Sequence, residues 1–203
     1  MIRNIVFDMG NVLIRFDPPF FLDRAGVTDP EDRKLILNEL FLSVEWAQMD
    51  AGMLTEETAE PLIMERIPER LRKKAKELLH NWAYPRDVIP GMEDLVRRLK
   101  ENGYKLYLLS NASVAQHEYW PRYAVSSYFD GKLISCDVKV VKPCHRIYEI
   151  FTEKFMLKPE ECVFIDDAPS NVVGAIACGW RGIAFHGDAS ELEKKLRTLG
   201  VRT

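Results

Sequence analysis

Three short apolar runs, each breaking off at polar residues, constrain this chain more than any other feature. Ile2, Ile5, Val6 and Phe7 lead into Asp8, with Gly10 and Asn11 just behind; Leu106-Tyr107-Leu108-Leu109 leads into Ser110-Asn111; Val163-Phe164-Ile165 leads into Asp166-Asp167. Runs this short and this apolar, rich in β-branched and aromatic residues, read as buried strands. Strands apolar on both faces belong to a parallel sheet covered by helices on both sides. Helical patterns fall between them: Met92, Leu95, Val96 and Leu99 up to a stop at Asn102-Gly103; a polar helix up to about Tyr119; Ile147, Ile150 and Phe151 behind Pro143; Val172, Val173, Ala175 and Ile176 up to Gly179. Leu133–Cys136 is expected as a shorter strand and Ile183–Phe185 as the last one. Ser190-Glu191-Leu192-Glu193 is expected to cap the terminal helix. The fold class is therefore α/β, a doubly wound parallel sheet.

One long stretch interrupts the alternation. After Phe16, Asp17, Pro18, Pro19, Phe20 and Phe21, a proline-rich exit from the sheet, every signal from Asp29 to about Trp82 is helical. Asp29-Pro30 starts a helix backed by Leu35, Ile36, Leu40 and Phe41; Gly52 breaks the pattern; Thr55 caps a second helix around Leu62, Ile63 and Met64, with Pro61 inside it; Pro68 opens a third around Leu71, Ala75, Leu78 and Leu79. Tyr84-Pro85 and Ile89-Pro90-Gly91 mark the return. The expected division is a core of residues 1–15 and 88–203 with an inserted all-helical unit over 16–87.

Composition narrows the classes of function. With 203 residues, 47% apolar and 29% charged, the chain can bury a full core, and a net charge of −3 without a polybasic stripe argues against nucleic-acid binding. Arg70, Arg72, Lys73, Lys74 and Lys76 cluster, but their spacing against Leu71, Ala75, Leu78 and Leu79 makes them a solvated helix face. Cys136, Cys144, Cys162 and Cys178 include no C-x-x-C pair, which speaks against a zinc site. Cys162 and Cys178 are expected as core thiols. Asp8 interrupts what would have to be a signal-peptide apolar region, and no stretch reaches membrane-spanning length. The expectation is a cytoplasmic protein away from membranes, a monomer or weak homodimer.

In a doubly wound sheet the carboxyl ends of the strands converge on one edge, where such sheets bind ligands. Asp8, Ser110-Asn111 and Asp166-Asp167 meet there, and Lys142, on the connection after the short Leu133–Cys136 strand, can reach them. A cluster of carboxylates is costly unless a cation neutralises it, and hard oxygen ligands favour Mg²⁺. A carboxylate can attack phosphorus to form an aspartyl phosphate, with a hydroxyl and an ammonium holding the phosphoryl oxygens.

Phe7-Asp8-Met9-Gly10-Asn11-Val12-Leu13, Leu108-Leu109-Ser110-Asn111, Lys142-Pro143 with Ile147-Tyr148-Glu149, and Phe164-Ile165-Asp166-Asp167 together resemble, in order, the four motifs of the haloacid dehalogenase superfamily. The resemblance implies a Rossmann-like core with the helical stretch as a cap inserted after the first strand. It implies Asp8 as nucleophile, Ser110 and Asn111 at the phosphate, and Lys142 as the stabilising ammonium. Asp8, the Gly10 carbonyl, Asp166 and Asp167 would hold Mg²⁺, with Asn171 supporting the site. The Asp-x-Gly-Asn-Val opening, His117 and Trp120-Pro121 more narrowly resemble the branch containing α-glucose-1-phosphate phosphatase, with the N-terminal phosphatase domain of soluble epoxide hydrolase a looser relative. The implied activity is a Mg²⁺-dependent phosphatase on a small phosphorylated metabolite, a sugar phosphate first.

One position departs from the superfamily pattern. Most of its phosphatases carry a second aspartate two residues after the nucleophile for proton transfer, and here that residue is Gly10. General acid–base help is worth about 10²- to 10⁴-fold in rate, so its source matters. His117, Glu118, a residue of the helical unit and a metal-bound water are the candidates. A metal-independent 2-haloacid dehalogenase, in which Arg15 is the nearby arginine, and a non-catalytic phospho-ligand or partner-binding protein are the alternatives. Trp46, Met49, Met53 and Phe20-Phe21 are the residues that could close over the site, against the plainer role of packing the helical unit.

Overall fold

The computed structural model describes residues 1–84 and 87–203; Pro85, expected to mark the return from the helical stretch, lies outside them. Five strands, β1 (Asn4–Phe7), β2 (Lys105–Ser110), β3 (Gly131–Ile134), β4 (Cys162–Asp166) and β5 (Arg181–Ala184), form one parallel sheet in the order β3-β2-β1-β4-β5. The strand beginning four residues into the chain is thus the central one. Side chains alternate between faces along a strand. Ile5, Phe7, Leu106, Leu108, Val163 and Ile165 pack on one side against α6 (Met92–Glu101) and α11 (Ala189–Thr198). Val6, Tyr107, Leu109 and Phe164 pack on the other against α9 (His145–Phe155) and α10 (Pro169–Ala177). Each fully buried Phe or Leu on these faces contributes about 1.5–3 kcal/mol over an exposed one.

The chain leaves β1 for β2 and β3 on one side and returns to β4 and β5 on the other, which opens a crevice at the carboxyl ends of β1 and β4. Register aligns the two: Phe7 pairs with Ile165, and the Asp8 N–H donates to the Ile165 carbonyl at 2.8 Å.

Five helices stand over this edge: α1 (Pro18–Arg24), α2 (Pro30–Ile36) running into a π-helical turn (Leu37–Phe41), α3 (Val44–Asp50), α4 (Glu56–Arg66) and α5 (Glu69–Asn81). They share a core of their own, built from residues such as Phe21, Leu22, Ile36, Leu40, Ile63 and Leu78. Rings join that core to the sheet layer: Phe16 meets Trp82 at 4.9 Å between centroids and Trp82 meets Tyr119 at 5.5 Å, both edge to face. No helix among the described residues is long and apolar enough to cross a membrane.

Several local expectations shift. Pro18-Pro19 does not merely end the first loop: Asp17 caps α1 by accepting the Phe20 N–H, and proline fits the first helical turn, where its missing donor is not needed. Ser43 caps a separate α3 by accepting the Trp46 N–H. β3 stops at Ile134 and residues Ser135–Val138 form a helical turn (α8), so Ser135 and Cys136 are not strand residues. The last strand begins at Arg181 and ends before Phe185. Asp188, rather than Ser190, caps α11, because its carboxylate accepts the N–H groups of both Ser190 and Glu191. The polar helix before Tyr119 is a single turn, α7 (Gln116–Tyr119). Cys178 is only half-buried, whereas Cys162 is buried in the core.

Candidate active site

Asp8 follows directly on β1 and Asp166 closes β4, so the crevice brings the two carboxylates together at its floor. Lys142, buried, reaches both: its Nζ lies 2.7 Å from Asp8 Oδ1 and 2.6 Å from Asp166 Oδ2, and 5.2 Å from the centre of the Phe164 ring. Asp166 has no exposed surface at all; it accepts hydrogen bonds from the Asn171 side-chain amide at 3.0 and 3.1 Å and from the Ala168 N–H at 2.8 Å. A buried carboxylate persists where donors surround it, and this one has the ammonium, an amide and a backbone N–H. Asp167 takes a hydrogen bond from Asn11 Nδ2 at 3.2 Å. Asn11 adopts a left-handed φ of 53°, which asparagine tolerates, and its Oδ1 accepts the Phe16 N–H, tying the turn after β1 to the start of the helical layer.

One carboxylate oxygen each from Asp8, Asp166 and Asp167 lie within 4.8 Å of one another. Three carboxylates against one ammonium leave an excess of negative charge, and an all-oxygen set of this kind matches the hard-ligand preference of Mg²⁺. Burial pushes the Asp8 carboxyl up to about 7; Lys142 pulls it down and Asp166 adds to the rise. Burial alone would lower Lys142, but the two carboxylates outweigh it and hold the side chain as an ammonium. Asp167 is raised by burial, with the Asn11 hydrogen bond opposing.

Above this floor is a cavity of about 180 Å³. Asp8, Gly10, Asn11, Ser110, Asn111 and Asp167 line its base; Ile14, Phe16, Trp46, Met49, Leu79, Trp82 and Tyr119 form an apolar and aromatic wall; Asp50, Glu56 and Ser113 supply a polar edge. Ser110 is buried at the end of β2 and lines the cavity. Asn111 plays a further part that its type alone did not reveal: its amide brackets the Lys142 backbone, accepting the Lys142 N–H at 2.8 Å and donating to the Lys142 carbonyl at 3.0 Å. The backbone of the residue that carries the buried ammonium is thereby fixed to the end of β2.

The structure therefore gathers Asp8, Gly10, Ser110, Asn111, Lys142, Asp166, Asp167 and Asn171 at one strand edge. Other expected participants fall elsewhere. His117 pairs with Asp137 at 2.8 Å and Glu118 pairs with Arg122, neither on the cavity wall. Cys136 stands beside the His117–Asp137 pair at the surface. Met53 is exposed, and Phe20 and Phe21 pack within the helical layer, so Trp46 and Met49 are the members of that group over the site. Arg15 pairs with Asp87 and lies over the Phe20 ring. Asp50 and Glu56 belong to no motif, and only the tertiary docking of the helical layer brings them to the cavity that Asp8 lines; Ser113 reaches it three residues past the end of β2.

Comparison with known proteins agrees with this geometry. Residues 2–179 match the haloacid dehalogenase-like hydrolase family. The chain is 24% identical over 198 residues to the flavin mononucleotide hydrolase 1 of Arabidopsis thaliana, covering 97% of this chain and 77% of that protein. It is 24% identical over 185 residues to the D-ribitol-5-phosphate phosphatase of Bacteroides thetaiotaomicron, covering 85% of this chain and 86% of that protein. Two longer relatives are spanned to only 37% and 14% of their lengths. Among solved structures, a haloacid dehalogenase family enzyme of Bacteroides thetaiotaomicron in complex with magnesium and inorganic phosphate superposes with a TM-score of 0.70 at 26% identity, over 95% of this chain and 99% of that one. With its four motifs brought to one strand edge and the match running through nearly all of the sheet, the chain belongs to the haloacid dehalogenase-like hydrolase family.

Proposed function

We propose that this hydrolase is a Mg²⁺-dependent phosphatase that cleaves a small phosphomonoester through an aspartyl phosphate on Asp8. The observation that carries the reading is the floor of the cavity: a carboxylate 2.7 Å from a buried ammonium, two further carboxylates within reach, and a buried serine at the end of β2 lining the same space. Asp8, Asp166 and Asp167, with the Gly10 carbonyl, would hold the metal; when bound, it screens the anionic nucleophile from the anionic phosphate.

The chain's own residues do the rest. An Asp8 carboxylate oxygen bonds to phosphorus as the ester P–O bond breaks and the alcohol departs with a proton. Lys142 and the Ser110 hydroxyl hold phosphoryl oxygens as charge grows on them, and Asn111 keeps Lys142 in place through its backbone. Water then attacks the phosphorus of the aspartyl phosphate and regenerates Asp8. Asn171 keeps Asp166 oriented throughout.

The cavity also speaks to the substrate. Among the described residues no Lys or Arg lines it, the Lys142 ammonium reaching the Asp8 carboxylate beneath, whereas Asp50 and Glu56 do. A second anionic group on the alcohol would meet repulsion there. Hydroxyls would find acceptors, and the rings of Phe16, Trp46 and Trp82 offer a face for a carbon skeleton. A sugar or polyol monophosphate fits this description, and the likeness to a D-ribitol-5-phosphate phosphatase supports it.

The test is phosphate release from a panel of small phosphomonoesters, with Mg²⁺, after EDTA, and with Asp8→Asn. Release that needs Mg²⁺ and disappears in the variant is expected. Halide release from a 2-haloacid without metal would establish a dehalogenase instead. A folded, metal-binding protein that turns over neither would be a binding protein on this scaffold.

A further inference from the structure

Gly10 occupies the position from which a side chain two residues beyond the nucleophile could pass a proton, and it has none to offer. We propose that Asp50, at the end of α3 in the helical layer, is the group that protonates the leaving alcohol and later takes the proton of the attacking water. This rests on the phosphatase reading above.

Placement is the first support. Asp50 lines the same cavity as Asp8 and Ser110, the space that the alcohol portion of an ester at Asp8 would have to occupy. Its carboxyl has no hydrogen-bond or ion-pair partner among the described residues. The other proton-transfer groups on the cavity are occupied or unsuited: Asp167 is held by Asn11 beside the metal-type carboxylates, Glu56 accepts the Ser113 hydroxyl, and burial drives the Tyr119 phenol well above its usual range.

Anchoring is the second support, and it is independent of the first. The Asp50 carbonyl accepts the hydroxyl of Ser135 at 2.5 Å, and the same Ser135 oxygen accepts the Ala112 N–H at 3.0 Å, two residues past Ser110. Ser135 is fully buried. Two residues beyond Asp50, Gly52 has a φ of +67° and lies so close to the Cys136 backbone that an added Cβ would stand 2.3 Å from its carbonyl oxygen. Both contacts clasp the end of α3 to the sheet beside the phosphate hydroxyl, so the carboxyl is held at the site.

The electrostatic setting agrees. Burial raises Asp50 to about 7, Lys142 opposes, and Asp8 and Glu56 raise it further, so at neutral pH it can both give and accept a proton. In the first half-reaction the bond between Asp8 and phosphorus forms, the ester P–O bond breaks with its electron pair going to the alcohol oxygen, and the Asp50 proton follows to that oxygen. In the second, water bonds to phosphorus, the Asp8–phosphorus bond breaks, and the water proton returns to Asp50.

The experiment compares leaving groups. Rapid-quench phosphorylation rates are measured for a sugar phosphate and for p-nitrophenyl phosphate, whose phenolate departs without a proton, in wild type, Asp50→Asn and Asp50→Glu. Asp50→Asn should slow phosphorylation by the sugar phosphate about 10²- to 10⁴-fold while slowing the nitrophenyl burst by less than about tenfold, with slow turnover after the burst. Asp50→Glu should recover part of the sugar phosphate rate. Equal loss with both esters, or no loss with the sugar phosphate, would overturn the assignment. If Asp50→Asn melts early, the leaving-group ratio of Asp50→Glu decides the question. Absence of phosphate release by wild type with every ester would instead remove the phosphatase reading itself.

Discussion

Removing the ammonium at the floor of the site is the most severe single change the structure identifies. Lys142 Nζ has carboxylate oxygens at 2.7 and 2.6 Å, and only 1% of its side chain is exposed. In Lys142→Met the apolar stem is nearly retained, so little cavity forms, and the loss is almost wholly electrostatic. Breaking a buried ion pair from one side costs about 3–5 kcal/mol, because the partner charge stays buried without compensation. Here two carboxylates lose their shared counter-charge, and the middle of that range, about 4 kcal/mol, is the expected loss. For a domain of this size each kcal/mol lowers Tm by about 2–4 °C, so the variant should melt about 8–16 °C below wild type in metal-free buffer. Differential scanning calorimetry reads this directly. A double-mutant cycle sharpens it: Lys142→Met with Asp8→Asn should recover part of the lost stability, because one of the stranded charges is gone. A Lys142→Met protein melting within a degree or two of wild type, or a double variant less stable than the sum of the singles, would refute the account of Lys142 as the charge that holds the two strand ends together.

Three further outcomes follow from other sites. Glu193 receives a forked pair of hydrogen bonds from Arg98 at 3.0 and 2.9 Å, which with the Thr203 hydroxyl holds its carboxyl down to about 2; a folded-state value below the unfolded one means stability present above about 4.5 and lost as pH falls toward 2, so Glu193→Gln should flatten that part of the Tm–pH curve at a cost of about 1 kcal/mol at neutral pH, checked by melts across the range. Gly52→Ala should lower stability by about 2 kcal/mol or more, because the new Cβ meets the Cys136 carbonyl in a left-handed backbone, and urea unfolding would show it as a lower midpoint. Gly10→Ala, by contrast, should change stability by less than about 1 kcal/mol: its φ is not positive, and the added Cβ would sit an ordinary 3.5 Å from Phe16 Cβ, so a large drop in Tm would show that the turn after β1 is tighter than described.

What could be read from the sequence, and what could not, divides along a physical line. Asp8, Ser110 and Asp166 sit at the ends of strands apolar on both faces, and that pattern is local, so both the sheet and the gathering of those residues at one edge were legible. Elements whose limits depend on competition between neighbours were less so. Two acceptors two residues apart, Asp188 and Ser190, could each have started α11, and the carboxylate won. Ile134 looked continuous with Ser135-Cys136, but the Ser135 hydroxyl is engaged with Asp50 and Ala112, and the chain turns helical there. Asp50 was invisible for the same reason: it is an unremarkable helix-terminal residue until a contact with a serine 85 residues away sets it over the cavity. Asn111 shows the converse, a residue whose membership of the site was legible but whose grip on the Lys142 backbone was not.

The central position of β1 has a consequence for how the protein is made. Asn4 pairs with Lys105 on one side and with Cys162 on the other, the latter 158 residues downstream. At synthesis rates of about 5–20 residues per second, roughly 8–30 s separate the emergence of β1 from that of β4. Through that interval Ile5, Val6 and Phe7 can gain at most β2 on one side and lack β4 on the other, while the helices between Pro18 and Asn81, with their own apolar core, have all the partners they need for collapse. Asp8 is thus translated long before Asp166, the carboxylate it meets across Lys142. The strand edge is complete only when Lys142 and β4 close around a strand made well before them.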